Sequence, residues 1–343
     1  MTSLTPKSLL FLALLLFIGR AAAGEAPSVD RAGWLIHREL LPHSNDSSKK
    51  VELFWTKPNG DGPFPVLLYI HGHQETVRNG GEAYVQVGRL GIMASRGYVA
   101  AAVSQPGYGN STGPPDFCGP VTQSAALDAI GFLRRQAFVN PNKIGLYGYS
   151  RGAIVASMVA TQDSRLAAVI LGAGAYDLFK WYPTSIHGID ANISGEAGTS
   201  VEAFRVRSAT YHAEKIRAAV LLLHGAHDER IPVQQATAFA EILKANGISL
   251  RFKIFLMLDI VFHLRSRIEK SIHFSKTFCA DICQVRPPRD GHSIPWLSRF
   301  GGTLRDHEAR YAYAQEWLDI VKLAWSPHGW GPMPGQEIGK RIA

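Results

Sequence analysis

Short apolar runs alternate with helical patterns along most of the chain, and this alternation predicts a largely parallel sheet covered by helices. The run Val66–Ile70 opens after Pro65 and is unbroken, as is typical of a strand that is buried on both faces. Similar runs recur further along, and two earlier segments have the pattern of strands joined by a polar turn, 44–48. The predicted strands are Trp34–Leu41, Val51–Thr56, Val66–Ile70, Tyr98–Val103, Lys143–Tyr147, Ala167–Leu171, Ala219–Leu223 and Leu250–Phe255.

Two stretches between these strands carry apolar residues at helical spacing. The members of the first stripe, three or four positions apart, are Ala126, Ala129, Ile130, Leu133 and Ala137. The second stretch, Ala236–Leu243, stops at Asn246-Gly247, a pair that suits the end of a helix. We find no internal repeat and no low-complexity linker, so the pattern favours one α/β domain.

The first residues differ from the rest of the chain. Lys7 precedes an apolar run from Leu9 to Ile18, and Ala21-Ala22-Ala23 follows as a small-residue cleavage site. This is the layout of a secretory signal peptide, and the run is short for a membrane span. We expect residues 1–23 to be removed on export from the cell or into a periplasm. An uncleaved membrane anchor is the alternative; no other run has spanning length, so no stable membrane insertion is expected after cleavage.

The net charge of +8 changes this picture little. The signal peptide contributes two positive charges and no acid, and the segment 256–287 holds five basic residues against three acidic ones. The remaining charge is not concentrated in one tract, which favours a mildly basic surface and no nucleic-acid partner. Three cysteines, Cys118, Cys279 and Cys283, are too few for a disulfide scaffold, and one thiol must be left over.

The sharpest chemical signal is Gly148-Tyr149-Ser150-Arg151-Gly152. It directly follows a predicted strand and precedes a helix of small residues that begins near Ala153. In this context G-x-S-x-G forms a strained turn that exposes the serine hydroxyl and aims the N-terminus of the helix at developing negative charge. The motif predicts Ser150 as a nucleophile, the alternative being a glycine-rich turn with a spectator serine.

An acyl transfer also needs a general base and a carboxylate that orients it. Asp228 follows the predicted strand Ala219–Leu223 and is the predicted acid; its neighbour Glu229 is the rival, and a turn or helix-cap role is the alternative. The predicted base is His292, which lies in the turn Asp290–Pro295. The rival histidines are His263 and His273, in helical-looking stretches, and His307, in a charged run.

An oxyanion hole needs two donors. The backbone N–H of Arg151 is the first candidate, and that of His73 in the loop after Val66–Ile70 is the second, ahead of Gln74. The pairs His71-x-His73 and His224 with His227 leave a metallohydrolase as an alternative. No metal, nucleotide or flavin motif is present, so we expect no cofactor. Trp181 and Tyr182, which follow the predicted strand Ala167–Leu171, either line a substrate pocket or pack within a cap loop.

Together these motifs resemble the catalytic domain of the prolyl oligopeptidase family and its short relatives without a propeller. The resemblance rests, in collinear order, on Tyr69–Gly72, Gln105–Gly113, Asn140–Gly152 and His224–Pro232. It covers most of residues 50–325. It implies an α/β-hydrolase fold over residues 24–325, a mostly parallel central sheet flanked by helices, and a triad of Ser150, Asp228 and His292. The implied activity is hydrolysis of an acyl bond in a small peptide or ester; about forty mature residues precede Val66, so no propeller is expected.

One spacing departs from the family pattern. From Asp228 to His292 is 64 residues, longer than family members usually show. Joining Phe255 to Pro288 would restore the usual strand, turn and histidine, so residues 256–287 are interpreted as an insertion. This insertion is either a helical lid beside the active site or a disruption of the triad that leaves a catalytically impaired binding protein. A third alternative is that the chain is a structural or surface-interaction protein, which only the basic character of the insertion supports. Residues 326–343 are predicted to be a loose tail, and the oligomeric state is left open.

Overall fold

The computed structural model describes residues 28–30, 33–186 and 188–255. The chain falls into two compact units, which divide between Ile144 and Gly145. Several predicted features lie outside the described residues and stay predictions: the signal peptide 1–23, the insertion 256–287 with Cys279 and Cys283, the base His292 with its rivals His263, His273 and His307, and the tail 326–343.

The first unit is built on five strands. Antiparallel pairing joins β1 to β2, β2 to β3 and β3 to β5, whereas β5 and β4 are parallel, giving the order β1-β2-β3-β5-β4. The strands are β1 (Ser28–Val29), β2 (Leu35–His43), β3 (Asp46–Thr56), β4 (Phe64–Ile70) and β5 (Val99–Val103). The helices are α1 (Glu82–Gln86), α2 (Arg89–Ala94) and α3 (Pro120–Arg134). Every residue of β5 and five of the seven in β4 are buried, as their apolar runs predict.

Several boundaries in this unit differ from the predictions: β2 runs to His43, β3 begins at Asp46 and β4 begins at Phe64. The predicted turn over residues 44–48 is shorter, because β3 already begins at Asp46 and α3 fixes the turn. Asp128 of this helix accepts the backbone N–H of Ser44 at 2.8 Å, and Ser124 accepts a hydrogen bond from the side-chain amide of Asn45 at 2.8 Å. The prediction was also wrong for Ala137, which lies beyond the end of α3. The chain leaves this helix through tight turns, with Gln136 N–H donating to the carbonyl of Leu133.

The second unit holds parallel strands in the order β6-β7-β8-β9. They are β6 (Val139–Tyr149), whose first residues belong to the first unit, β7 (Ala168–Gly172), β8 (Ala219–Gly225) and β9 (Leu250–Phe255). Helix α4 (Arg151–Ala160) follows β6, and α8 (Gln234–Ala245) follows β8. A cap segment, defined here as residues 173–208, leaves β7 and carries α5 (Leu178–Trp181), the 3₁₀ helix η1 (Tyr182–Thr184), α6 (Ile189–Ala197) and α7 (Val201–Arg205); the 3₁₀ helix η2 (Ala209–Lys215) leads into β8.

The elements β7, β8 and α4 lie in the core of the second unit. All residues of these three elements are buried, which explains why their sequences read as unbroken apolar or small-residue runs. Helix α8 ends at Ala245, before Asn246-Gly247, as predicted. The mostly parallel sheet flanked by helices confirms the predicted fold class. Among the described residues, no helix has both the length and the apolar character needed to cross a bilayer.

Candidate active site

Two of the predicted site residues lie at one edge of the sheet in the second unit. Ser150 comes directly after β6, and Asp228 lies three residues after β8, with β7 between these two strands. Because the three strands are parallel, their carboxyl ends meet at the same edge. In open α/β sheets this is the edge at which ligands bind.

The turn at Ser150 is strained in the manner that the motif predicts. Its backbone has φ of 53° and ψ of −121°, a conformation that residues other than glycine rarely adopt. The turn is held from two sides: Ser150 N–H donates to the carbonyl of Gly172 in β7 at 2.8 Å, and Ala153 N–H donates to the carbonyl of Ser150 at 2.9 Å. The predicted strand–turn–helix is therefore confirmed. Such strain costs about 1–3 kcal/mol and persists only where the surroundings determine it.

Gly148 leaves room for this turn. A Cβ atom at this position would overlap the backbone of Gly152, with 2.5 Å to its carbonyl carbon, and would lie 2.8 Å from the Cα atom of Ala153. Both obstacles are backbone atoms, which cannot rotate away as a side chain would. The first glycine of the motif is therefore required by the close approach of α4 to the end of β6.

The side chain of Arg151 is buried beside this turn. Only 3% of it is exposed, and its guanidinium meets the carboxylate of Glu196 in α6, of which 15% is exposed. Both terminal nitrogens donate, Nη1 to Oε1 at 3.2 Å and Nη2 to Oε2 in a closer contact. This two-pronged geometry is the strongest that an arginine and a carboxylate form. Nothing in the local sequence around Ser150 indicates this partner.

The carboxylate of Asp228 is held by the turn that follows it. Its Oδ1 accepts the backbone N–H groups of Arg230 at 2.9 Å and Ile231 at 3.0 Å, and 21% of the side chain is exposed. Asp228 is thus the turn former that the sequence left open, and this arrangement leaves it at the carboxyl edge of the sheet. The rival Glu229 is exposed.

His224, fully buried in β8, braces the same turn. Its Nε2 donates to the carbonyl of Ile231 at 2.8 Å and lies 3.7 Å from Oδ2 of Asp228. Burial lowers the pKa of His224, against the opposing effects of the Ile231 carbonyl and the Asp228 carboxylate. The neutral ring therefore carries its proton on Nε2, and its Nδ1 is buried without a hydrogen-bond partner in the described part of the chain. His224 is a structural support of the turn Asp228–Ile231 that sequence reasoning missed.

The predicted second oxyanion donor, His73, lies in the loop that follows β4 in the first unit. Side chains fix this loop. The ring of His71 accepts the backbone N–H of Gln105 at 3.0 Å and donates to the carbonyl of Gly72 at 2.8 Å. The amide of Gln74 bonds both backbone groups of Gly80, at 2.8 and 3.1 Å. Tyr108 places its hydroxyl 3.1 Å from Nδ1 of His73.

A buried carboxylate organises the neighbouring loop, which carries Tyr108. Glu52 in β3 is 1% exposed and accepts hydrogen bonds from Ser104 Oγ at 2.7 Å, from Asn110 N–H at 3.1 Å and Nδ2 at 2.9 Å, and from Arg38 Nε at 2.8 Å. Because a buried carboxylate needs such partners, the loop and the strand constrain one another.

The metal-site alternative finds no support in this geometry. Both ring nitrogens of His71 already bond backbone groups, and Nε2 of His224 bonds Ile231, so a metal at either pair would displace these contacts. Among the described residues, no group of three or more His, Cys, Asp or Glu side chains is placed to hold a metal ion.

A family model that describes the prolyl oligopeptidase family matches residues 85–259, just over half of the chain. The chain belongs to the prolyl oligopeptidase family. The resemblance carried by the sequence motifs is confirmed, and so is the prediction that the chain is a serine hydrolase.

Relatives of this prolyl oligopeptidase family member include two bacterial proteins. It is 26% identical over 199 residues to the uncharacterized peptidase YtmA of Bacillus subtilis (strain 168). This alignment covers 57% of this chain and 75% of the relative. It is 28% identical over 223 residues to dipeptidyl-peptidase 5 of Porphyromonas gingivalis, covering 61% of this chain and 30% of the relative. The chain thus spans three quarters of the first relative and less than a third of the second.

A solved structure supports the fold. The puromycin-hydrolyzing peptidase of Mycobacterium tuberculosis superposes with a TM-score of 0.57 at 22% identity, over 67% of this chain and 36% of that chain. At this identity the likeness concerns the fold alone. The α/β-hydrolase architecture is therefore common to both.

A partly open cavity of about 450 Å³ lies between the cap segment of this prolyl oligopeptidase family member and α8. Trp181, which is 3% exposed, lines it and donates its indole N–H to the carbonyl of Arg230 at 3.0 Å, beside the turn of Asp228. The cavity is also lined by Asp177, Thr210, Pro232, Gln235 and Ile242; Ser150 and Asp228 are not among its lining residues. Trp181 thus packs within the cap, one of the two roles that the sequence left open, whereas its role in a substrate pocket stays a prediction; Tyr182 is not among the lining residues.

Proposed function

We propose that the chain is an exported serine peptidase that hydrolyses a small peptide or ester substrate through an acyl-enzyme on Ser150. The observation that carries this proposal is the strained turn that presents Ser150 at the same sheet edge as Asp228. Family membership supplies the reaction class. The peptidase names of the relatives favour a peptide bond over an ester as the physiological target.

In the proposed first half-reaction, Oγ of Ser150 attacks the substrate's carbonyl carbon while His292 takes the hydroxyl proton. Electrons move to the carbonyl oxygen, which becomes an oxyanion. Its collapse breaks the bond to the leaving group, and His292 returns the proton to the departing amine or alcohol. Water repeats the sequence on the acyl-enzyme and releases the acid together with the regenerated serine.

The remaining proposed roles follow from backbone position. Arg151 is the first residue of α4, and backbone N–H groups at the start of a helix point out of its N-terminal end, so the N–H of Arg151 is proposed as the first oxyanion donor. His73 is proposed as the second donor on sequence grounds. Asp228, with Oδ1 fixed by two backbone N–H groups, is proposed to orient His292. Fixing the carboxylate in advance reduces the reorganisation needed during the reaction.

The first experiment treats the purified mature protein with a fluorophosphonate probe and a short-chain nitrophenyl ester. The wild type should be labelled by the probe and should hydrolyse the ester, whereas Ser150→Ala and His292→Ala should do neither. The matched control is Ser95→Ala, which removes an exposed hydroxyl bonded only to the carbonyl of Ile92 in the described structure. A correctly folded wild type that is not labelled would contradict the proposal and favour the binding-protein alternative.

The substrate class is tested separately, with one set of amino-acid and dipeptide anilides in two forms, N-acetylated and with a free amino group. A peptidase of the proposed kind should cleave some of these amides, and the comparison shows whether a blocked or a charged N-terminus is preferred. Turnover of esters alone, with every amide left intact, would contradict the peptidase assignment and leave an esterase.

The proposal of export rests on the sequence of residues 1–23. It is tested by asking whether the host cell cleaves these residues from the full-length chain. Expression of the full-length chain in a secretion-competent host should yield an exported protein whose N-terminal residue is Gly24, as read by N-terminal sequencing. An intact Met1 on a membrane-bound product would instead support the uncleaved anchor.

A further inference from the structure

We propose that Glu196 is a positioning residue for the nucleophile turn and acts through the side chain of Arg151. This inference rests on the proposed function, because it concerns the turn that carries Ser150. The ion pair joins the first residue of α4 to the next-to-last residue of α6, 45 positions further along the chain. Both partners belong to the second unit, so the pair is internal to one compact body.

The stability of the fold does not by itself account for such a pair. Bringing two charges out of water costs several kcal/mol per ion, and a buried ion pair often contributes no more than apolar residues of similar volume. What the pair does supply is direction, because the planar guanidinium fork accepts a carboxylate in only a few orientations. The pair therefore fixes where the side chain of Arg151 points.

The position of Arg151 gives this fixed direction its importance. Its Cα atom is next to that of Ser150, whose backbone is held at φ of 53°, and its own N–H is the proposed oxyanion donor. The described contacts anchor the turn to β7 through the carbonyl of Gly172 and to α4 through the N–H of Ala153. Glu196 adds an anchor from the cap segment. A displacement of the catalytic geometry by about 1 Å can reduce the rate about 100-fold, so a third anchor has a measurable effect.

The test compares Glu196→Gln with Glu202→Gln, which removes the same charge from an exposed site on the neighbouring helix α7. In Glu196→Gln we expect kcat for nitrophenyl esters to fall about 10- to 100-fold, with KM changed less than about 3-fold, because geometry and not substrate binding is altered. The loss should be the same for acetyl and butyryl esters. Glu202→Gln should stay within about twofold of the wild type.

A double variant separates positioning from folding. Arg151→Met with Glu196→Leu replaces the buried pair by apolar side chains and keeps the backbone N–H of residue 151. Its thermal midpoint should be close to that of the wild type, yet its kcat should remain reduced as in Glu196→Gln. Wild-type turnover by this folded double variant would overturn the proposal. So would a loss in Glu196→Gln that matches only its unfolded fraction, or one that depends on acyl chain length.

Amide hydrogen exchange provides a readout that does not depend on turnover. In Glu196→Gln the hydrogen-bonded amides of Ser150 and Ala153 should exchange at least about tenfold faster than in the wild type, while those of β8 keep their protection. Unchanged exchange at the turn would contradict the positioning role, whatever the enzymatic result. Failure of the proposed function is recognised separately, by a wild type that neither reacts with fluorophosphonate nor differs in turnover from Ser150→Ala.

Discussion

At the scale of single residues, Gly148 provides a direct test of the turn at Ser150. Gly148→Ala should reduce the free energy of unfolding by about 1–3 kcal/mol and abolish fluorophosphonate labelling, because the new Cβ meets the backbone of Gly152 and Ala153. Urea denaturation and probe labelling measure the two effects. The control is Gly195→Ala in α6, where a Cβ meets nothing within 4 Å and helix propensity favours alanine. Equal stability and equal labelling of the two variants would contradict the requirement for glycine at the close approach of α4 to β6.

Glu52 provides a second prediction at this scale, on the dependence of stability on pH. Burial raises the pKa of this carboxyl, but hydrogen bonds from Asn110, Ser104 and Arg38 outweigh burial and hold the pKa below its usual 4.5. The unfolded chain therefore takes up the proton more readily than the folded chain. The stabilisation from Glu52 is fully present above pH 4.5 and is lost as the pH falls through the lower, folded pKa.

Replacing Glu52 by Gln should remove this part of the acid dependence and lower stability at neutral pH by about 3–5 kcal/mol, since Arg38 loses its buried partner. Urea midpoints between about pH 3 and pH 7 measure both effects. The control Glu82→Gln neutralises an exposed carboxylate at the start of α1. A Glu52→Gln profile that runs parallel to that of the wild type would contradict the assignment.

At the scale of elements, the start of α8 holds the chain that leaves β7. Oε1 of Gln235 accepts the buried backbone N–H groups of Tyr176 and Asp177, each at 3.0 Å. Gln235→Ala would leave both donors unsatisfied and should cost about 2–4 kcal/mol, measured by chemical denaturation. Gln235→Glu keeps the acceptor and should cost less. The adjacent Gln234 is exposed, so Gln234→Ala should change stability by less than about 0.5 kcal/mol. An equal loss of stability in both alanine variants would contradict the role of the Gln235 side chain.

The elements that the sequence predicts well are those whose signal is local. Strand β9 begins at Leu250, as predicted, shortly after the helix end at Asn246-Gly247, and α4 follows from the glycine-flanked serine. Ala137 fits the helical spacing, yet tight turns end α3 before it, and spacing alone carries no information about where backbone bonding changes. Glu196 could not be predicted, because its partner lies 45 positions away and no short motif records so distant a contact.

At the scale of the whole molecule, the segment 256–287 between acid and base decides between the two readings of this chain. Its deletion, with Phe255 joined to Pro288, should change the ratio of kcat/KM for amide and ester substrates or abolish turnover if the segment is a lid. Both activities are measured on the purified deletion variant beside the wild type. A variant that is more stable and equally active on every substrate would contradict the lid and identify the segment as dispensable.

The turn Asp228–Ile231 also has a consequence for which amino-acid substitutions the protein can accumulate. Asp228 is oriented by main-chain groups of Arg230 and Ile231, and the indole of Trp181 also bonds a main-chain atom there. Every amino acid except proline supplies the same main-chain N–H and carbonyl, while the side chains of Glu229 and Arg230 are exposed. Substitutions at these two positions can therefore accumulate without moving the carboxylate. The charge beside Asp228 can therefore change over generations while the backbone that orients its carboxylate is inherited unchanged.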